Sequence, residues 1–333
     1  NNKIRVVQIS DVIDVRSFSH RFGSLTAVDT ITFSVRKGEI FSLLGPNGAG
    51  KSTAINVLTT LLPLQEGEVR VSGHDVSRDP AAVRRSIGIV FQSEVLDRDL
   101  SVQESLEFHG RLYAMPREER SARIEELMAV VELTEKRDIR TKYLSGGMRR
   151  RLEIARGLMT RPEVLFLDEP TIGLDPQTRM RIWEYIRRVN DEGTTIFLTT
   201  HYMDEADRLS DRIGIIDHGR IIVEGTPAEL KNTLGNDMIF LDTDNNELTA
   251  SLLGGVGSIH SIRAGKEGVT AVTNEDGTRC LPKVFDLLSA NGIRLAGVNL
   301  KKPTMDDVFI HYTGRAIREE STEKAHPHQR RRR

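Results

Sequence analysis

Ile40-Phe41-Ser42-Leu43-Leu44 runs without a spacer into Gly45-Pro46-Asn47-Gly48-Ala49-Gly50-Lys51-Ser52. The first five residues have the length and apolar density of a buried strand, and the next eight fit G-x-x-x-x-G-K-[ST], with a helix expected from about Lys51. A strand before and a helix after are the setting in which this pattern grips phosphate. The loop of Gly45, Pro46, Asn47, Gly48, Ala49 and Gly50 turns its backbone amides toward phosphate oxygens. Lys51 is placed to neutralise the β- and γ-phosphates, Ser52 to ligate Mg2+ through its hydroxyl, and Thr53 to make a further phosphate contact.

A second anion-holding segment lies downstream. Leu144-Ser145-Gly146-Gly147-Met148 leads into the basic helix Arg149 to Leu158, and then into Val164-Leu165-Phe166-Leu167-Asp168-Glu169. Ser145 at a helix start caps free amides, and the paired glycines let a ligand oxygen approach the backbone. Asp168, at the end of a rigid apolar strand, can hold Mg2+ beside the phosphate loop. Neighbouring strand residues diverge in direction, so Glu169 is free to act on an attacking water as general base. The phosphate loop alone does not separate a kinase, a GTPase and a transporter ATPase; far fewer nucleotide binders carry the second segment as well.

Composition sets the outer limits. A chain of 333 residues exceeds what one core usually organises, so two domains are expected. Its 47 Lys plus Arg almost cancel 48 Asp plus Glu, which argues against a dedicated nucleic-acid binder. The single cysteine, Cys280, excludes an internal disulfide and a multi-cysteine zinc site and reads as a small apolar residue suited to a reducing cytosol. No apolar run approaches the roughly 18 residues that cross a bilayer, and no export leader is expected.

Strand-like and helix-like segments alternate from residue 11 to 234, the pattern of an α/β domain with a largely parallel sheet. Strands are expected at Ile40 to Leu44, Ser86 to Phe91, Glu163 to Asp168, Thr195 to Thr199 and Arg212 to Ile216, followed by a hairpin at His218-Gly219. Ile13 to Phe18 and Ile31 to Val35 suggest a smaller antiparallel sheet. Residues 93 to 143 read as a helical insert, opened by Ser101 and Glu104 at capping-box spacing, with Val102, Leu106 and Tyr113 on one packing face. Beyond residue 234 the order βαββαβ, with helices at Glu247 to Leu253 and Leu281 to Ala290, predicts a small α+β ferredoxin-like domain over 235–316. Residues 1–10 form an N-terminal extension. Residues 317–333, with Arg330 to Arg333, read as a disordered basic tail.

The motifs together resemble those of ABC ATPases over most of residues 10 to 232. The resemblance implies a P-loop NTPase with an ABC-type helical subdomain and an antiparallel β subdomain, and ATP with Mg2+ as its ligands. It implies that Phe22, beside Gly23, stacks on adenine, that Gln92 links γ-phosphate, Mg2+ and helical insert, that Gly173-Leu174-Asp175 is the D-loop, and that His201 is the switch histidine. It also implies a homodimer in which Ser145, Gly146 and Gly147 of one subunit cap the γ-phosphate bound by the other, a two-fold pairing that completes two equal sites. Two departures stand out: Met148 replaces a common glutamine, and Phe22 a common tyrosine.

Lys302-Pro303-Thr304-Met305-Asp306-Asp307-Val308-Phe309, Thr313-Gly314-Arg315 and Thr200-His201-Tyr202-Met203-Asp204-Glu205-Ala206-Asp207 resemble the daunorubicin-resistance type of ATPase subunit, which serves ABC-2 exporters. That implies an ATP-hydrolysing subunit on the cytoplasmic face of the membrane. It would drive a separately encoded permease that exports a drug, a lipid-like or another hydrophobic compound. The permease is expected to contact residues 93–112. An importer subunit and a soluble ABC ATPase acting on nucleic acid or ribosomes are the alternatives.

Overall fold

The computed structural model describes residues 11–235 and 237–314. The extension over 1–10, Arg315 and the basic tail over 317–333 lie outside the described residues. In chain order the elements are β1 (Asp11–Phe22), β2 (Leu25–Arg36), β3 (Ile40–Leu44), α1 (Lys51–Leu58), β4 (Glu66–Val71), β5 (His74–Asp75), α2 (Pro80–Ser86) and β6 (Ile87–Val90). There follow α3 (Val102–Leu112), α4 (Arg117–Val130), α5 (Gly146–Gly157), β7 (Val164–Asp168), α6 (Pro176–Asp191), β8 (Thr195–Thr200), α7 (Met203–Leu209), β9 (Arg212–Asp217), β10 (Arg220–Gly225) and α8 (Pro227–Asn232). The remainder is β11 (Asp237–Thr243), α9 (Asn246–Leu253), β12 (Ile259–Ala264), β13 (Val269–Thr273), α10 (Gly277–Ala290), β14 (Leu295–Lys301) and α11 (Met305–Thr313).

The central sheet has the order β10-β9-β3-β8-β7-β6, parallel except for β10 at its edge. Every residue of β3, β7 and β8 is buried, as expected of parallel strands covered on both faces. One face carries Val102, Leu106, Leu127, Leu152 and Trp183 from α3, α4, α5 and α6. The other packs α1 and the antiparallel sheet β2-β1-β4-β5 through Phe33, Phe41, Phe166 and Phe197, whose rings lie 5.4 to 6.0 Å apart. This layering brings the carboxyl ends of β3, β7 and β8 side by side, where α/β sheets hold their ligands.

The second sheet is larger than expected. β4 and β5 join it, because Val69 and Val71 pack against the same core as Val15 although the polar Glu66-Gly67-Glu68 hides their strand character. In the insert, Ser101 caps α3 through the predicted box with Glu104. Val102 and Leu106 are fully buried as the stripe predicts, but Tyr113 is 46% exposed: it follows the last turn of α3, where the helical phase no longer holds.

The C-terminal sheet, β12-β13-β11-β14, is antiparallel throughout, the ferredoxin-like order. Cys280 is buried in its core with Ile239, Leu241, Val284 and Leu288. α10 starts four residues before the expected Leu281, because Asp276 accepts a cap bond from Thr278 N and the helix takes Pro282 into its second turn. α11 leaves this unit. Met305, Val308 and Phe309 pack with Leu44, Met203, Ile213 and Leu230, so the chain returns to the first domain after building the second.

Candidate active site

The phosphate loop is shaped by its own chain. Gly50 caps α1 at φ 106°, and a Cβ there would lie 2.4 Å from the Ala27 carbonyl oxygen; one on Gly45 would lie 2.2 Å from that of Ile216. Only glycine fits either position. At the helix start Lys51 is buried, and its ammonium donates to the carbonyls of Gly45 at 2.8 Å and Pro46 at 3.1 Å. Burial pushes its pKa down, against the pull of Glu169 and Asp168.

Asp168 and Glu169, though adjacent, turn to different partners. Asp168 accepts from the Thr199 hydroxyl on β8, and the Ser52 hydroxyl also reaches it. Burial raises its carboxyl above the ordinary range, more than Lys51 lowers it. Glu169 takes φ 46°, a left-handed conformation that a non-glycine residue adopts under constraint. Its amide donates to the Thr199 carbonyl and hydroxyl, both at 3.1 Å. Its carboxylate then meets three groups at 3.2 Å: Lys51 Nζ on one oxygen, Gln92 Nε2 and His201 Nδ1 on the other. The His201 contact falls short of hydrogen-bond geometry. Burial alone would raise the Glu169 carboxyl, but His201 and Lys51 outweigh it and hold it below its ordinary value.

Of these groups Lys51, Ser52, Gln92 and Glu169 face a cleft of about 590 Å³, which Phe22, Asn47, Gly48, Gly50 and Thr53 also line. Phe22 is 48% exposed at its rim, edge-on to His20. Thr26, Ala27 and the turn at His218-Gly219 complete the wall. Among the described residues no cluster of three His, Cys, Asp or Glu could hold a metal. The Ser52 hydroxyl beside the Asp168 carboxylate is a pair of hard oxygen donors, a set that would suit a Mg2+ taking its other ligands from phosphate and water.

Lys51, Gln92 and His201 thus converge on Glu169, with Asp168 beside it; Asp168 and His201 stand behind the cleft lining, and Ser145, Gly146, Gly147 and Asp175 do not line the cleft either. Ser145 is exposed and caps α5 by accepting from Met148 N at 3.3 Å. A Cβ on Gly147 would lie 2.4 Å from Thr178 Cγ2, so this glycine is needed for packing of α5 on α6 as well as being open to a ligand role. Asp175 caps α6 through the Thr178 amide and hydroxyl. Met148, the departing residue, packs against the helical core. Thr199 and Arg150 belong to the site's framework without having been anticipated. Thr199 had a signal in its place at a strand end beside His201; Arg150 was hidden in a run of three arginines.

Comparison with known proteins agrees with this geometry. The family model described as ABC transporter matches residues 28–172, and that of the ATP-binding protein DrrA1-3-like C-terminal domain matches residues 225–313. Daunorubicin resistance ATP-binding protein DrrA3 of Streptomyces coeruleorubidus is 42% identical over 91% of this chain and 96% of its own. Nod factor export ATP-binding protein I of Sinorhizobium fredii is 38% identical over 93% of this chain and 88% of its own. Among solved structures, the dimeric post-hydrolysis state of the ATP-binding cassette MJ0796 bound to ADP and Pi is 28% identical, with a TM-score of 0.58, over 64% of this chain and 98% of that one. The chain belongs to the ATP-binding proteins of ABC transporters, in the group that carries the DrrA-like C-terminal domain.

Proposed function

We propose that this ATPase, which energises an ABC exporter, works as a head-to-tail homodimer with two equal sites. In each, the phosphate loop and Phe22 of one subunit bind ATP, and Ser145, Gly146 and Gly147 of the other cap its γ-phosphate. Lys51 exchanges its carbonyl partners for phosphate oxygens. Ser52 and Asp168, with Gln92 beside them, would hold a Mg2+ that would neutralise charge on the phosphates. Glu169, kept ionised by its neighbours, takes the proton of the water whose oxygen bonds to the γ-phosphorus as the bond to ADP breaks. His201 contacts the γ-phosphate, and Asp175 places the D-loop at the seam. Release of phosphate opens the pair.

The mechanical output goes to a separately encoded permease, which places the chain on the cytoplasmic face of the membrane. No described helix is long and apolar enough to cross a bilayer. The contact zone over residues 93–112 carries exposed Val95, Phe108 and Leu112, an apolar surface suited to a permease helix. The cargo is a drug, a lipid-like or another hydrophobic compound.

The convergence of Lys51, Gln92 and His201 on the Glu169 carboxylate carries this reading. Glu169→Gln tests it. ATP affinity should persist, turnover should fall by about 10² or more, and an ATP-dependent dimer should accumulate on size-exclusion chromatography. Wild-type turnover would remove Glu169 as base, and a monomer in saturating ATP would remove the shared site.

A further inference from the structure

We propose that Arg150 is a positioning residue for hydrolysis: from the buried middle of α5 it holds the turn that aims Glu169 and the loop that carries Gln92. The inference rests on the reading of Glu169 as the base. A guanidinium has five N–H donors in a rigid fork, and those of Arg150 meet five acceptors. Nε donates to Pro170 O at 2.7 Å, Nη1 to Phe91 O at 2.6 Å and Glu153 Oε2 at 2.9 Å, and Nη2 to Asp168 O at 3.1 Å and Glu169 O at 3.3 Å. Arg150 is 7% exposed and Glu153 1%. An ion pair that served stability alone would be complete with Glu153. Here four of the five bonds go instead to main-chain carbonyls on either side of the reacting groups.

Three of those carbonyls are consecutive and bracket Glu169, the residue with φ 46°. A side-chain-bearing residue keeps such a conformation only where its surroundings over-determine it. Arg150 is part of that surrounding from one side, as Thr199 is from the other. The fourth carbonyl, Phe91 O, precedes Gln92. Glu153 closes the frame, since its second oxygen accepts from Val95 N at 3.0 Å. The same helix binds this loop twice more, through the Arg149–Glu94 pair and through Arg156 Nη1 to Val95 O at 2.9 Å. The loop of Gln92 and the turn of Glu169 are therefore fixed to one helix, and Arg150 is the group that touches both.

Lysine keeps the charge but brings a point donor in place of a fork. In the full chain with Mg-ATP, Arg150→Lys and Arg150→Gln should lower kcat by about a hundredfold, the scale of a 1 Å misplacement. KM should stay within about threefold and the amount of ATP bound at saturation should match wild type. A loss of folded protein would lower bound ATP in step with kcat, and that result overturns the proposal. Wild-type kcat in the lysine variant overturns it too, and this milder variant carries the test if the glutamine variant does not fold. Glu169→Gln is run beside them. Full turnover there sinks the base reading, whereas a dead Glu169→Gln with an active Arg150→Lys sinks this inference alone.

Discussion

Gly147→Ala should loosen the junction of α5 and α6, and the structure lets the size of the effect be worked out. The added Cβ would sit 2.4 Å from Thr178 Cγ2, against an ordinary carbon contact of about 3.5–4.0 Å. Thr178 is not free to turn away: its hydroxyl donates to Asp175 Oδ2 at 2.6 Å and its amide to Asp175 Oδ1 at 3.0 Å. The helices must separate by about 1 Å at this end or the cap must break, an overpacking cost of about 1–3 kcal/mol. Gly147 lies in the first turn of α5, so replacing it returns no more than the lower end of the helix-interior gain, about 0.5 kcal/mol, and the net loss should be about 0.5–2.5 kcal/mol. Thr178→Ser removes only the clashing methyl and keeps both cap bonds. The double variant should recover most of the loss, with a coupling of about 1 kcal/mol or more in a double-mutant cycle. Urea unfolding of the four proteins reads this directly. Strict additivity, or an unchanged single variant, would refute the packing argument. ATP-driven dimerisation of the rescued double variant then reports on Gly147 as a ligand contact.

Two further outcomes follow from buried groups. Phe309→Ala should destabilise the protein by about 3–5 kcal/mol, because the ring is 1% exposed among Leu44, Met203 and Leu230. Hydrogen exchange should rise in β3 and α7 more than in β11 and β13, and the opposite pattern would assign α11 to the wrong unit. Glu205 is fully buried and accepts from Thr171 and Trp183, and burial pushes its carboxyl above the ordinary 4.5. A carboxyl raised in the folded state binds more protons there than in the unfolded chain, so stability falls as pH rises from the unfolded value through the folded one. Glu205→Gln has no such proton to lose. Its unfolding midpoint should gain on wild type as pH rises above the ordinary carboxyl value of 4.5, and a difference that stays constant as pH rises would sink the assignment.

The parts of this fold that were legible are those encoded within a few residues. The phosphate loop, the cap of Ser101 with Glu104 and the strand ending in Asp168 are local patterns, and each sits where its pattern places it. The convergence of Gln92 and His201 on Glu169 could be named through the resemblance, not through spacing, since these residues meet only when the strand ends align. Three features were not legible. β4 gains its strand character from contact with β1, and Tyr113 depends on where α3 stops. α11 reads as the end of the second domain because the chain reaches it from β14, while its apolar face fits the first. Arg150 shows the same limit from the side of charge. Three adjacent arginines look alike in sequence, and only the direction of the helix decides that one turns inward.

That direction gives α5 two ends of different character. Ser145 at its start is exposed, whereas Arg150 is buried against the Glu169 turn. At a rise of 1.5 Å per residue they lie about 7.5 Å apart along the axis, and no proline or π-bulge interrupts the helix between them to absorb a displacement. In the proposed dimer, a γ-phosphate that drew in Ser145 of the opposite subunit would pull on the guanidinium that aims that subunit's own Glu169. The two sites of the pair are then linked through a single helix in each subunit. Loss of Arg150 should uncouple them while leaving each nucleotide bound.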